Sequence, residues 1–251
     1  MPRPPSVTKP AGRPRRPAPT LALPPRAVRR DTLATALGQS PESIPDALID
    51  RLTTLLERLD TWTRRINLVG GSTLPDAWAR HVLDSAALMP LIPPGARRLA
   101  DLGSGAGFPG LVLAILGAPD VHLVESDQRK AVFLREAARA TAAPVTVHAA
   151  RIEALASLDA DVVTARALAP LPDLLPLVTR HLTDDGVALL PKGRDVASEL
   201  TACANQWIMR VEHHPASAPV RDPGSAAASA PADPGGRVLI LREIRRVPSD
   251  A

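Results

Sequence analysis

The chain has 251 residues, 45% of them hydrophobic, which is enough for one sizeable core and a small additional unit. No stretch approaches the roughly 18 consecutive apolar residues that a membrane span requires, and the first residues lack the apolar segment of a secretory signal. A single cysteine, Cys203, excludes an internal disulfide and a multi-cysteine metal site. We therefore expect a cytoplasmic protein without a bound metal.

The net charge of +4 is unevenly distributed along the chain. Residues 1–30 contain eight basic side chains, nine prolines and no acidic residue, so the remainder holds 22 basic and 26 acidic side chains. Because this N-terminal composition cannot bury a core, we expect residues 1–30 to be a disordered tail. The tail is either a solvated extension or a source of non-specific affinity for RNA phosphates.

Residues 31–90 predict a small helical cap in front of the main domain. Three helices are expected, at residues 31–37, 43–60 and 74–89. Ser43 is the expected N-cap of the second helix, with Pro45 in its first turn. That helix carries one apolar stripe at three- and four-residue spacing, formed by Ile44, Leu48, Leu52, Leu55, Leu56 and Leu59. The third helix is expected to turn Trp78, Val82, Ser85 and Leu88 or Met89 inward. The cap is too small to fold alone, so it should pack on the main domain.

A short apolar strand at residues 97–102 leads into three alternating glycines, and an apolar helix pattern follows through Leu116. The glycines are Gly103, Gly105 and Gly107. They let the backbone turn sharply and let a ligand approach where a Cβ would clash. A strand, a glycine turn and a helix together predict the first unit of a nucleotide-binding α/β fold.

Asp101 indicates which ligand this loop receives. A carboxylate immediately before the loop would repel a pyrophosphate, but it suits the ammonium group of S-adenosylmethionine. The spacing of Gly105, Gly107 and Gly110 also satisfies the dinucleotide fingerprint, so a dinucleotide site remains the alternative. Glu125, at the end of the second strand, fits both, because a carboxylate there can accept hydrogen bonds from two ribose hydroxyls.

From residue 91 onward the pattern predicts a doubly wound α/β domain with a mainly parallel, seven-stranded sheet. The strands are expected at 97–102, 121–126, 145–149, 161–165, 186–191, 207–214 and 237–244. Further helices are expected at 127–141, 172–181 and 195–205, with a short helical turn from Ile152. The last two strands have no helix between them, and such an antiparallel pair is typical of methyltransferases rather than dehydrogenases. Residues 215–236 are rich in Ala, Pro, Ser and Gly and predict a flexible insertion.

Several short motifs occur in a characteristic succession. They are Asn67-Leu-Val-Gly70, His81-Val-Leu-Asp-Ser85, Asp101-Leu-Gly-Ser-Gly-Ala-Gly-Phe-Pro-Gly-Leu111, Leu123-Val-Glu-Ser126, Arg151-Ile-Glu153, Val163-Thr-Ala-Arg-Ala-Leu168 and Lys192-Gly193. Over residues 45–205 this succession resembles the RsmG family, also called glucose-inhibited division protein B. The resemblance implies a class I methyltransferase that moves a methyl group from S-adenosylmethionine to N7 of a guanosine in 16S rRNA, at position 527 of that RNA. It implies the small ribosomal subunit as partner, and we expect a monomer.

The residues that we expect to bind the cofactor are Asp101, Gly103, Ser104, Gly105, Gly107, Phe108, Glu125, Ile152, Glu153 and Arg166. The resemblance implies that Ile152 and Glu153 bracket the adenine. It also assigns Arg166, at the end of the fourth strand, to the ligand site as the catalytic residue. The alternative for Arg166 is a structural salt bridge to Asp161 or Glu153.

Four residues are expected to contact RNA, namely Asn67, His81, Arg151 and Lys192. His81 and Asp84 are three residues apart on one helix face, so a local hydrogen-bonded pair is the alternative for them. An exposed cation without a ligand is the alternative for Arg151 and Lys192.

The atom that receives the methyl group is indicated partly by missing motifs. No Asn/Asp-Pro-Pro-Tyr/Phe follows the fourth strand, which argues against an exocyclic amine, and Cys203 lies in a late helix, away from the site. Guanine N7 attacks the sulfonium methyl with its own lone pair, so the enzyme mainly has to position two reactants and needs no general base. The rival functions are an NAD-dependent oxidoreductase and a noncatalytic RNA-binding assembly factor.

Overall fold

The computed structural model describes residues 20–193, 195–215 and 236–248. The predictions for residues 1–19 and for the insertion at 216–235 lie outside these ranges. Seven strands form one sheet: β1 Leu99–Leu102, β2 Val121–Val124, β3 Val145–His148, β4 Ala160–Thr164, β5 Leu182–Lys192, β6 Trp207–Pro215 and β7 Arg237–Arg246. Their order is β3-β2-β1-β4-β5-β7-β6. The first five strands are parallel, and β7 is antiparallel to both β5 and β6. The predicted seven-stranded, mainly parallel sheet is confirmed.

Helices cover both faces of this sheet. They are α1 Arg26–Leu37, α2 Asp46–Thr63, α3 Asp84–Ala86, α4 Gly110–Ile115, α5 Gln128–Ala140, α6 Leu171–His181 and α7 Val196–Cys203. A π-helix, Trp78–Leu83, runs directly into α3. In the described part of the chain, no helix is both long enough and apolar enough to cross a membrane.

The central strands are apolar on both sides because both of their faces are buried. Along β5, Val187 and Leu189 belong to the core beneath the cap, α4 and α5, whereas Ala188 and Leu190 belong to the core beneath α6 and α7. All four are completely buried. The continuous apolar runs of the sequence therefore correspond to central strands with two covered faces.

The cap shares the first of these cores, and α2 joins it to the main domain. Leu52, Leu55, Leu56 and Leu59 of the expected stripe are completely buried, and the helix turn adds Ile49. In addition, Arg51 donates hydrogen bonds to two carbonyls at the end of α5, Thr141 O at 2.7 Å and Ala142 O at 3.1 Å.

The structure corrects the beginning of the chain. Residues 26–30, expected to be part of a disordered tail, form the first turn of α1. The helix buries Leu33 and Ala34 in the core. Its first turn also pairs with α2, since Arg26 forms ion pairs with Asp46 and Asp50, and Arg30 pairs with Asp46. The composition of residues 1–30, which contain no acidic residue, gave no sign of these ion pairs, because the acidic partners lie in α2.

Two helix predictions in the cap are also wrong in detail. Ser43 does not cap α2, which begins at Asp46 after Pro45. Its hydroxyl instead bonds Ser40 O at 2.7 Å within a 3-10 turn. The single helix expected at 74–89 is divided into turns, the π-helix and the one-turn α3, although Trp78, Val82, Ser85 and Leu88 are buried as predicted.

Candidate active site

The carboxyl ends of β1, β2, β3 and β4 open onto one cavity of about 730 Å³. The loops that follow these strands form part of its wall. Residues of the cap between Leu68 and His81 form another part. The cavity lies where the strand order reverses, between β1 and β4. Open α/β sheets bind their ligands in the crevice at this position.

The glycine loop after β1 adopts a backbone that other residues rarely take. Gly103 and Gly107 have φ angles of 69° and 86°. A Cβ on Gly103 would lie 2.7 Å from Leu168 Cδ1, and one on Gly107 would lie 2.5 Å from Leu111 Cδ1. A Cβ on Gly105 would meet only Gly103 O, at 3.7 Å, so the space beside Gly105 is open to the cavity. Gly103 and Gly107 therefore shape the loop, and Gly105 leaves room for a ligand.

Asp101 does not face the cavity, so the structure does not support the expected direct contact with an ammonium group. Its side chain is 1% exposed and accepts hydrogen bonds from the Thr164 hydroxyl at 2.7 Å and from Gly110 N at 3.3 Å. Ser104, which does line the cavity, bonds Asp101 O at 2.9 Å. Burial raises the pKa of Asp101 to about 6. Asp101 therefore holds the loop and the start of α4 in place.

Glu125 presents its carboxylate to the cavity from the end of β2. It is only 8% exposed, and backbone N–H groups hold both oxygens: Gly105 N at 2.9 Å and Asp127 N at 2.7 Å. Each carboxylate oxygen has a second acceptor site that these bonds leave unused. The glycine loop thus fixes the position of an acceptor that suits ribose hydroxyls.

The loop after β3 supplies an apolar wall and a charged rim. Ile152, in the 3-10 turn Ile152–Ala154, is 8% exposed and lines the cavity beside Glu153. Arg151 Nη2 lies 3.2 Å from Glu153 Oε1, and both side chains are largely exposed. A hydrogen bond from its own backbone N–H holds the pKa of the Glu153 carboxyl below its ordinary value, and the charge of Arg151 lowers this pKa further.

Arg166 lines the cavity from the end of β4, and the salt bridge considered for it is not formed. Asp161 accepts hydrogen bonds from the backbone N–H groups of Arg97 and Arg98, and Glu153 pairs with Arg151. Arg166 Nη2 instead donates to Arg80 O, in the cap, at 2.9 Å.

The guanidinium of Arg166 is partly desolvated. Burial lowers the pKa of Arg166, and the carboxylates of Asp84 and Asp101 oppose this shift. Its Nη1 is buried and has no hydrogen-bond partner among the described residues. An arginine remains charged under these conditions, so the side chain brings a cation to the inner wall of the cavity.

His81 is buried in the cavity wall, and its contact with RNA stays a prediction. It is 6% exposed and stacks on Phe108, with ring centroids 4.9 Å apart and an interplanar angle of 20°. Its Nε2 lies 3.2 Å from Thr73 Oγ1. Burial lowers the pKa of His81 to about 4, so the ring is neutral. Phe108 accordingly both lines the cavity and packs against the cap.

Lys192 does not line the cavity. Its ammonium donates to Glu199 Oε2 at 2.7 Å and to Ala169 O at 3.2 Å, and only 9% of the side chain is exposed. An internally paired lysine does not offer its charge to RNA, so this prediction is corrected. Asn67 is exposed just before Leu68, which lines the cavity, and its contact with RNA stays a prediction.

Sequence reasoning missed four polar residues of the wall, Thr73, Ser126, Lys130 and Asp173. Lys130 had a usable signal: Asp127 accepts a bond from Lys130 N and caps α5, so the first turn of that helix lies beside the end of β2. Thr73 lies in the 3-10 turn Gly71–Thr73, for which the sequence has no comparable signal. Among the described residues, no group of three or more His, Cys, Asp or Glu side chains could hold a metal ion.

The reversed strand β7, the glycine loop after β1 and the acidic residue after β2 together define a class I methyltransferase of the S-adenosylmethionine-dependent type. The chain belongs to the family described as rRNA small subunit methyltransferase G, whose model matches residues 48–220. It is 53% identical over 216 residues to Ribosomal RNA small subunit methyltransferase G of Paramagnetospirillum magneticum, covering 86% of this chain and 96% of the relative. The protein of that name from Rhodospirillum centenum is 50% identical over 222 residues, covering 88% and 94%. Among solved structures, an S-adenosylmethionine-dependent O-methyltransferase from Thermotoga maritima aligns at 16% identity with a TM-score of 0.49, covering 77% of this chain and 73% of its own.

S-adenosylmethionine is the cofactor of this enzyme class, and the residues present fit it. The open space beside Gly105 is a cradle that a Cβ would narrow, and Glu125 offers acceptors for the ribose hydroxyls. Ile152 offers an apolar surface of the kind on which an adenine ring can pack. The cavity volume is within the usual range for ligands of this size.

Proposed function

We propose that this enzyme transfers the methyl group of S-adenosylmethionine to N7 of a guanosine in 16S rRNA. One observation carries the proposal: Glu125 and Arg166 line the same cavity from strands β2 and β4, which flank β1. A donor whose ribose lies on Glu125 places its sulfonium near the end of β1. A base that enters beside Arg166 then lies next to the methyl group.

The reaction needs positioning more than proton transfer. The N7 lone pair forms the new bond to the methyl carbon while the bond from carbon to sulfur breaks. The positive charge moves from the sulfonium to the imidazole ring of the guanine, and neutral S-adenosylhomocysteine leaves. Because no proton must leave N7, correct alignment of the two reactants can supply most of the rate enhancement.

The cavity residues divide between the two substrates. The loop from Gly103 to Gly105 receives the methionine part of the donor, and Glu125 holds the ribose. Ile152 and Glu153 hold the adenine. Arg166 is the group that meets the target base. No residue in this arrangement is asked to remove a proton.

Cations at the rim suit the RNA backbone. Arg151 is exposed there and Lys130 lines the wall, so both can meet phosphates near the target nucleotide. Asn67 lies at the cap side of the same opening. The proposal places the enzyme in the cytoplasm as a monomer that acts on the small ribosomal subunit without a metal.

Methyl transfer from labelled S-adenosylmethionine tests the function directly. The substrates are small subunits and naked 16S rRNA from cells that lack this gene. We expect label in N7-methylguanosine at one nucleotide. Label on another atom, or no label in either substrate, would overturn the proposal.

Glu125→Gln tests the assigned role of Glu125 in binding the donor. The amide keeps the size of the side chain but turns one acceptor into a donor, so its bonds to Gly105 N and Asp127 N cannot both persist. We expect calorimetry to show S-adenosylhomocysteine binding about tenfold or more weaker, in line with the loss of a charge-assisted hydrogen bond. Binding of NAD by the wild-type protein, without binding of S-adenosylhomocysteine, would favour the oxidoreductase.

A further inference from the structure

Two buried polar atoms beside the cavity have no hydrogen-bond partner among the described residues, and their chemistry is complementary. They are Nδ1 of His81 and Nη1 of Arg166. A guanidinium nitrogen can only donate. Whether Nδ1 donates or accepts depends on the tautomer of the ring, which its neighbours determine.

The contact of His81 with Thr73 assigns the ring hydrogen to Nε2 and leaves Nδ1 as an acceptor; the backbone of Arg80, which raises the pKa of His81, forms no hydrogen bond with Nδ1. The Thr73 hydroxyl donates its hydrogen to Gly70 O at 2.7 Å, so its oxygen is left to accept from His81 Nε2 at 3.2 Å. Nε2 therefore carries the ring hydrogen. Since burial and the nearby guanidinium keep the ring neutral, Nδ1 has a free lone pair.

The guanidinium is anchored on the residue that precedes His81. Arg166 Nη2 donates to Arg80 O, which belongs to the residue directly before His81. The charge of Arg166 also contributes to lowering the pKa of His81, after burial. The stack on Phe108 restricts rotation of the histidine ring. The unpaired donor and the unpaired acceptor are thus brought to the same part of the cavity wall, because the guanidinium is anchored on the residue that precedes His81.

We propose that His81 is a positioning residue for Arg166, with Nδ1 accepting a hydrogen bond from Nη1 in the reacting enzyme. Both nitrogens of the guanidinium fork are then held by the cap, one by Arg80 O and the other by His81. The bond fixes the plane of the group that meets the guanine. The inference rests on the proposed function, because it assigns Arg166 to the base.

Two substitutions separate this role from simple packing. His81→Asn places an amide oxygen near the position of Nδ1, whereas His81→Gln places its amide near Nε2 and leaves Nη1 without an acceptor. Both remove the ring that stacks on Phe108, so their difference reports on the acceptor alone. We expect His81→Gln to lower kcat about 10- to 100-fold, the range for a misplaced catalytic group, and His81→Asn to recover most of that loss.

The Kd for S-adenosylhomocysteine should stay within about twofold of the wild-type value in both variants, because neither is expected to move the donor site. Thr73→Val is a second control: it removes the hydroxyl that fixes the tautomer, and a loss smaller than that of His81→Gln is expected. Equal loss of kcat in the Asn and Gln variants would overturn the inference, as would a loss that appears only in the melting temperature.

A measurement without turnover covers the case in which a variant fails to fold. Histidine ¹⁵N spectra of the full chain with S-adenosylhomocysteine should show His81 as the neutral Nε2–H tautomer, identified by the signal missing in His81→Asn or His81→Gln, whichever folds. The Nδ1–H tautomer would overturn the inference. If wild-type enzyme forms no N7-methylguanosine at all, the proposed function fails first. If the enzyme forms N7-methylguanosine but His81 is the Nδ1–H tautomer, only the proposed role of His81 fails.

Discussion

The glycine loop and the cap segment from Leu68 to His81 line the same cavity, but different physical rules build them. The loop takes its shape from backbone angles that glycine alone adopts easily, such as φ = 86° at Gly107. The cap segment contains a 3-10 turn and the start of a π-helix, and their geometry depends on what packs against them. The first kind of structure can be recognised in a sequence, whereas the second requires the neighbours to be known.

The largest effect is expected in the loop. Gly107→Ala combines a left-handed backbone with a Cβ 2.5 Å from the buried Leu111 side chain, so it should cost about 4 kcal/mol of unfolding free energy. Gly105→Ala is the matched control, since it has a positive φ but open space, and it should cost about 1–2 kcal/mol. Urea denaturation measures both. Equal losses would show that steric contact with Leu111 does not determine the loop.

The second prediction sets one residue of the loop against one of the cap. The folded-state pKa of Asp101 is raised to about 6 from 3.8, so its contribution favours the folded state below pH 4 and is lost as pH rises through 6. The folded-state pKa of His81 is lowered to about 4 from 6.5, so its contribution is present above pH 6.5 and is lost as pH falls through 4. Each pKa shift corresponds to about 3 kcal/mol of unfolding free energy, and the two contributions change in opposite directions with pH.

Single variants should therefore uncover opposite slopes. Between pH 6.5 and 4, the stability of Asp101→Asn should fall more steeply than that of wild type, and the stability of His81→Asn should fall less steeply. Urea midpoints at several pH values give the comparison. Slopes that match wild type in both variants would mean that neither group is shifted as the burial of these side chains requires.

Much of the fold was predictable because its signals are local. Apolar runs with two covered faces became central strands, and glycines at alternate positions became the loop. The failures come from contacts between distant residues. Arg26 and Arg30 belong to a helix that buries Leu33 and Ala34 and pairs with Asp46 and Asp50 of α2. Ser43 lost its expected role to a turn around Pro41.

The site shows the same division. Glu125 and Arg166 were found because strand ends meet at one edge of a parallel sheet. The inward burial of Asp101 was not predicted, since it depends on Thr164, 63 residues later. Nor did any pattern indicate that Arg166 would be anchored by a backbone carbonyl of the cap.

A third prediction concerns Lys192, which was expected at the RNA surface. Lys192→Ala leaves the carboxylate of Glu199 with only the bond from Leu171 N at 2.7 Å. Because the pair is mostly buried, we expect a loss of about 2 kcal/mol in stability. Arg151→Ala is the control, since its ion pair is exposed. Methylation per folded molecule should stay unchanged in Lys192→Ala and fall in Arg151→Ala, and the opposite result would return Lys192 to the RNA contacts.

The smallest effect concerns how the cap is joined to the main domain. Arg51 donates to Thr141 O and Ala142 O, at the C-cap of α5 and the residue after it, where the chain leaves the helix and backbone carbonyls lack helical partners. Arg51→Ala should therefore cost about 1 kcal/mol. Arg58→Ala, on the same helix, breaks only a solvated pair with Glu136 at 3.5 Å and should cost less than about 0.5 kcal/mol. Urea midpoints distinguish the two, and equal losses would mean that charge pairing attaches the cap. A loss of stability in Arg51→Ala alone would mean that bonds to backbone carbonyls attach the cap to the main domain, just as the bond to Arg80 O attaches Arg166 to the cap.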